Sequence, residues 1–114
     1  MSNADKKTAE NIDVCFLLDF YGQLLTEKTR EILELHYAED MSLAEISDQY
    51  HITRQAVHDS LKRGVLTLQG YEEKLNLMHR FMIQKNCIKE AIFDIESGKN
   101  DEAKEKLVQL TQLI

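Results

Sequence analysis

The sequence has no proline, no tryptophan and only four glycines in 114 residues. β-Sandwiches and barrels turn the chain often, and those turns recruit Gly and Pro. Their scarcity, beside abundant Leu, Glu, Lys, Gln and Ala, points to an all-α protein. Long apolar runs are missing as well. None approaches the ~18–20 residues of a membrane span. The opening MSNADKKTAENI holds no apolar signal-peptide core, so a cytoplasmic protein is expected. Cysteine is scarce: Cys15 and Cys87 stand 72 positions apart, each in an apolar helical pattern. They are expected to be two buried cytosolic thiols.

What is present fits one domain, or one small domain with a helical extension. The composition is 43% hydrophobic and 30% charged, too apolar for a disordered chain. The net charge of −6 is unevenly spread. Residues 1–41 hold four Lys/Arg and nine Asp/Glu, residues 42–64 three of each, and residues 65–114 seven and eight. The acidity is therefore N-terminal, and a basic patch must be local. Net acidity argues against non-specific nucleic-acid binding.

Residues 1–11 are expected to form a flexible N-terminus and residues 12–64 a helical domain. The run IDVCFLLDFYG, 12–22, reads as a short helix, apolar around much of its circumference and stopped by Gly22. Thr26 suits the N-cap of a helix TEKTREILELHYAED. Ser42–Leu43–Ala44–Glu45 is a capping box that opens the helix LAEISDQY. The short turn His51–Ile52 follows, and Thr53 caps RQAVHDSLKR. Two short helices joined this way are a helix-turn-helix, placed at 42–64. Ile46, Tyr50, Ile52 and Val57 fall where the two helices must meet. His51 stands in the turn where Gly is usual, and Ser60 at a position that is usually apolar, with Leu61 beside it to take over the packing.

Residues 65–114 read as a long C-terminal helical extension: the recognition helix ends near Gly64 or runs on into a long helix of about 66–97, and a short amphipathic helix capped by Asp101 follows. Leu61, Leu68, Leu75 and Met82 recur every seven residues, and Phe81, Ile88, Ile92 and Ile95 form a second stripe. Gly64 and Gly70 weaken this pattern by about 1 kcal/mol each relative to Ala. Ala103, Leu107, Leu110 and Ile114 line one face of the last helix. The seam of 61–82 and the last helix can supply the interface of a homodimer or close the intramolecular core.

A recognition helix presents its N-terminal residues to base edges. Here these are Thr53, Arg54, Gln55 and His58. Gln pairs with adenine N6/N7, and Arg with guanine O6/N7 or a phosphate. Lys62 and Arg63 suit phosphate contacts. Asp59 opposes these cations. No phosphate-binding loop or nucleophile elbow is found, so an enzyme is not expected. His36, His51, His58 and His79 lack the helical spacing of metal ligands, so neither a metal nor a cofactor is expected. Glu27, Glu31 and Glu34 share one helical face, which can repel nucleic acid or dock a basic protein.

The run LAEISDQYHITRQAVHDSLKRG resembles region 4 of bacterial sigma factors, which carries a pattern of the form SLxEI…V(S/T)RxxV. The longer run from Asp19 to Arg63 is similar to the YlxM family of small helix-turn-helix proteins of Gram-positive bacteria. The matches concentrate at Tyr21, Leu25, Leu35, Tyr37, Ser42–Ile46, Thr53–Val57 and Lys62–Arg63. That resemblance implies a link to the signal recognition particle pathway, as a regulator. Two partner classes follow. One is a nucleic acid, DNA or signal recognition particle RNA, held by the second helix. The other is a signal recognition particle protein docked on the acidic face, without direct DNA reading.

Overall fold

The computed structural model describes residues 3–112, with the side chains of residues 3–10 and 12 left aside. These residues form six α-helices and no strand: α1 (Asn3–Tyr21), α2 (Glu27–Leu33), α3 (Leu43–Tyr50), α4 (Arg54–Leu75), α5 (Leu77–Glu96) and α6 (Asn100–Thr111). The chain divides into two compact units, Met1–Leu75 and Asn76–Ile114.

Helix α1 starts upstream of the expected residue 12. Ala4, Lys6, Lys7, Ala9 and Glu10 are good helix formers with no breaker among them, so helix takes the place of the flexible terminus over residues 3–11. Residues 1, 2, 113 and 114, including the Ile114 expected on the last apolar face, lie outside the described residues. Only one side of α1 is fully buried, through Val14, Leu17 and Tyr21 at i, i+3 and i+7. Cys15, Phe16, Leu18 and Phe20 are half-buried rather than enclosed. The turn Gly22–Leu24 is 3₁₀, and Thr26 caps α2 by accepting the Thr29 amide at 3.3 Å.

Helix α2 does not run on regularly to residue 40. Its last part, Glu34–Ala38, widens into a π-turn. Asp40 then enters the left-handed region at φ 57°, and the Met41 amide returns to the Leu35 carbonyl at 2.9 Å. The His36 imidazole donates from Nδ1 to the Met41 carbonyl at 2.8 Å, which fixes its tautomer and clamps the corner. The Cys15 thiol donates to the Tyr37 carbonyl at 3.7 Å, tying α1 to the same corner. Burial, then the charges of Asp19 and Asp40, push that thiol above its usual pKa.

Tyr21, Ile32, Leu33, Ile46, Val57 and Leu68 are the largest enclosed side chains of the first unit. Tyr21 donates its hydroxyl to Glu72 Oε1 at 2.5 Å and sits 6.0 Å from the Tyr71 ring. Burying Tyr with its hydroxyl paired avoids the cost of an orphaned polar group.

Gly64 is neither a helix end nor merely a weak point. A Cβ built there would lie 2.8 Å from Leu33 Cδ1 and 3.3 Å from both Leu33 Cγ and Thr29 Cγ2. The glycine lets the α4 backbone press against α2. Helix α4 therefore continues past Gly64, with Leu68 fully enclosed, and the domain boundary falls at 75/76 rather than at 64/65. The stop is Asn76, left-handed at φ 54°, which splits the single helix expected over 66–97. Leu61 and Leu68 serve the core of the first unit, while Leu75 and Met82 are exposed. The heptad seam is thus not one continuous interface.

The second unit is a helical hairpin of α5 and α6. Ala91 and Ala103 are almost fully buried, and their small size lets the two helices approach. Gly98 adopts φ 78°, and the Lys99 amide donates to the Asp94 carbonyl at 2.7 Å. Lys99, not Asp101, occupies the N-cap position of α6, with no side-chain cap; Asp101 lies in the first turn, where its charge complements the positive end of the helix dipole. The buried Asp94 carboxylate meets Lys106 Nζ at 2.6 Å, with Glu90 at 3.9 Å. That bond to Asp94 holds the Lys106 ammonium above the usual lysine range, although partial burial pulls the other way. Cys87 is half-buried and donates its thiol to the Lys106 carbonyl at 3.2 Å.

In the first unit, α3 and α4 are joined by a left-handed residue. His51 adopts φ 55° and ψ 43°; its amide and that of Ile52 both return to the Ser47 carbonyl, the latter at 3.1 Å. This ends α3 in the way a glycine normally would. A left-handed non-glycine residue costs ~1–2 kcal/mol. Part of that is offset because glycine has more freedom to lose on folding. His51→Gly is expected to stabilise the chain by about 0.5–1 kcal/mol, seen as a higher urea midpoint. The two helical glycines should respond in opposite directions. Gly64→Val should cost about 1–3 kcal/mol through overpacking against Leu33. Gly70, with nothing within 4 Å of its added Cβ, should gain about 1 kcal/mol as Gly70→Ala. Thermal melts of the two variants displaced to opposite sides of the parent would meet both expectations.

Candidate nucleic-acid interface

The interface is built on two capped helix starts. Ser42 Oγ accepts the Glu45 amide at 3.1 Å while Glu45 Oε1 accepts the Ser42 amide at 3.2 Å, completing the capping box. Ile46 and Ser47 are buried beneath α3, and Val57 and Leu61 beneath α4. Leu61 does take the buried place next to Ser60, which is half-buried. Tyr50, at the end of α3, donates its hydroxyl to Glu31 Oε2 at 2.8 Å. That bond, with burial and the charges of Glu31 and Glu27, raises the phenol pKa. It locks α3 onto α2, so the second helix is offered from a braced support.

Thr53 caps α4: its Oγ1 accepts the Ala56 amide at 3.0 Å. As a hydroxyl it keeps its own proton to donate outward. Arg54, Gln55, His58, Lys62 and Arg63 are all exposed. With Val57, Leu61 and Gly64 buried, they occupy the outward half of the helix. At 100° per residue, Arg54, His58 and Lys62 form one row at i, i+4 and i+8. Gln55, Asp59 and Arg63 form a second row beside it. Arg63 lies half a turn round from Arg54, on the rim of an open groove of about 510 Å³ lined also by Leu24, Thr29 and Gly64. Arg54 and Arg63 therefore face opposite sides of the helix.

Asp59 organises the row it belongs to. Gln55 Nε2 donates to Asp59 Oδ1 at 2.9 Å, and His58 Nδ1 lies 3.6 Å from the same oxygen. Both side chains of the His58–Asp59 contact are more than half exposed, so its energetic weight is small. The effect of the Gln55–Asp59 hydrogen bond is orientational: it occupies one donor of the Gln55 amide. The Gln–Asp spacing of four is a helix hydrogen-bonding pair visible in sequence. Asp59 enters the sequence reading only as an opposing charge, so this positioning role was missed.

The acidic face is partly engaged inside the first unit. Glu31 is held by Tyr50, and Glu34 Oε1 lies 3.9 Å from Arg30 Nε. The π-turn also begins at Glu34, so the even helical stripe of Glu27, Glu31 and Glu34 is interrupted. Among the described residues, no group of three or more His, Cys, Asp or Glu is placed to hold a metal ion, and no helix is long and apolar enough to cross a membrane.

A family model described as "Putative helix-turn-helix protein, YlxM / p13 like" matches residues 8–110. A UPF0122 protein of Desulforamulus reducens is 48% identical over 91 residues, covering 80% of this chain and 78% of the relative. Another, from Clostridium kluyveri, is 46% identical over 103 residues, covering 86% and 91%. A third, from Acetivibrio thermocellus, is 49% identical over 85 residues, covering 75% and 73%. The match spans both the helix-turn-helix and the C-terminal hairpin, and the chain belongs to the UPF0122 family of YlxM / p13-like helix-turn-helix proteins.

Proposed function

We propose that this protein is a nucleic-acid-binding regulator linked to the signal recognition particle pathway, acting by binding rather than as an enzyme. The observation that carries the reading is the outward half of α4 over its first turns. Its buried residues anchor the helix, its first turn is capped, and Thr53, Arg54, Gln55, His58, Lys62 and Arg63 are left at the surface. Arg54 and Gln55 stand at the N-terminal end, where base edges are read. Lys62 and Arg63 stand two turns on, where phosphates are met. The pathway link rests on the resemblance to the YlxM family. It makes the particle's RNA the probe to set against duplex DNA.

The electrostatics define what kind of binding this is. Over residues 54–63, Arg54, Lys62 and Arg63 are the cations on the outward half of the helix, and Asp59 offsets one of them. Affinity from phosphates alone is therefore weak. Binding depends on shape and on the polar groups at the start of the helix.

Fluorescence anisotropy against a mixed duplex DNA pool and signal recognition particle RNA tests the reading. Arg54→Ala combined with Gln55→Ala should weaken binding at least 10-fold, at about 1–3 kcal/mol per lost bidentate contact, with unchanged circular dichroism. A double variant that binds like the parent would remove α4 from the interface. With three cations engaged per chain, log affinity should fall with log salt at a slope of about −3 per chain on duplex DNA. Absence of binding to either probe at low salt would leave docking of a signal recognition particle protein on the acidic face as the function.

A further inference from the structure

The α5–α6 hairpin has two unlike faces. On one, Lys106 bridges to Asp94 and Glu90 and closes the surface with charge. On the other, Ile88, Ile92 and Ile95 of α5 are 43–53% exposed. They lie within about 60° of one another around the helix. Leu107 and Val108 of α6 are 40% and 50% exposed. Ile95, Ala103, Leu107 and Val108 line a common open groove of about 440 Å³. We propose that this face is a homodimer interface, on which a second copy of the hairpin packs face to face to complete an antiparallel four-helix bundle.

Four observations select a second copy as the occupant. The unit Asn76–Ile114 is 39 residues long. Units below about 40 residues usually need a disulfide, a metal or oligomerisation to hold together. Cys87 is the only cysteine in this unit and is a free thiol, and no metal-holding cluster exists among the described residues. A second copy would supply such support without either device. The second observation is charge. The unit carries six Lys/Arg and six Asp/Glu, so the whole −6 of the chain sits in residues 1–75, with eight and fourteen. A neutral unit pairs with its own copy without like-charge repulsion and offers no charge handle to a strongly acidic or basic partner.

The third observation is architecture. Two antiparallel helices joined by a short turn are half of an up-down four-helix bundle, and a two-fold axis makes one apolar face self-complementary. The fourth is area. The five side chains expose on the order of 400 Å² per copy, the scale that marks an interaction patch. Two copies with their polar flanks reach about 1,000 Å², the lower bound of a specific interface. The inference is independent of the nucleic-acid reading, although a dimer would carry two copies of α4.

The test is the mass of the full chain by sedimentation equilibrium from about 1 to 100 µM, without nucleic acid, so that it fails separately from the binding assay. The expected mass is twice 13.3 kDa, falling to a single chain for Ile92→Glu with Ile95→Glu at unchanged helicity. Phe93→Glu, outside this face, should stay dimeric. A monomeric parent at 100 µM overturns the proposal, as does a folded double variant that remains dimeric. Should the glutamates unfold the hairpin, Ile92→Ala with Ile95→Ala should raise the dissociation constant at least 10-fold while helicity is kept. An unchanged constant overturns the proposal.

Discussion

The helix-turn-helix depends on one close approach, that of the α4 backbone at Gly64 to Leu33 of α2. Leu33 has no exposed surface, and Ile32, Val57 and Leu68 are enclosed in the same core. Because α4 is pinned nearly three turns beyond its first residues, the capped end that carries Arg54 and Gln55 is set by packing at its middle. The close contact sits on the inward side of a helix whose outward side is polar. Rigid support and an exposed polar surface thus divide one helix between its two faces. The π-turn serves the same end from the other direction. It bends the chain after α2, and His36 and Asp40 hold the corner so that α3 can lie across α4.

The charge of the chain is partitioned in the same way as its packing. The first unit holds all of the net negative charge, yet over residues 54–63 the outward half of α4 has three cations and one anion. A locally basic surface on an acidic body favours contacts that are oriented and short-ranged. The second unit is neutral and has one apolar face. The two units thus expose different kinds of surface: a polar, locally basic one on α4 and an apolar one on the hairpin.

Much of this was legible in the residues. The capping box at Ser42–Glu45, the Thr26 and Thr53 caps and the buried Ile46 and Val57 follow from local rules of spacing and hydrogen bonding, and the structure has them. The outward position of the six candidate contact residues follows from the same periodicity. What was not legible depends on partners far along the chain. Gly64 reads as a weak helix residue until Leu33, 31 positions earlier, is seen against it. The split of the long helix rests on a left-handed Asn76, which no apolar pattern announces. The π-turn keeps helical composition while changing its hydrogen bonding. The two cysteines, expected to be buried, are half-buried because each uses its thiol to reach a carbonyl across an element boundary rather than to fill a core.

Those two thiols have a practical consequence. The chain has no tryptophan, so the usual fluorescent report of packing is absent. It has instead one sulfhydryl in each unit: Cys15 tethered to the π-turn and Cys87 tethered to α6. Each tether must break before its sulfur is fully presented to a reagent. The rates at which Cys15 and Cys87 are labelled therefore measure local opening of the two units separately, within one unmodified molecule. The raised pKa of Cys15 adds a chemical delay to the first of these clocks, so its opening is best timed at alkaline pH.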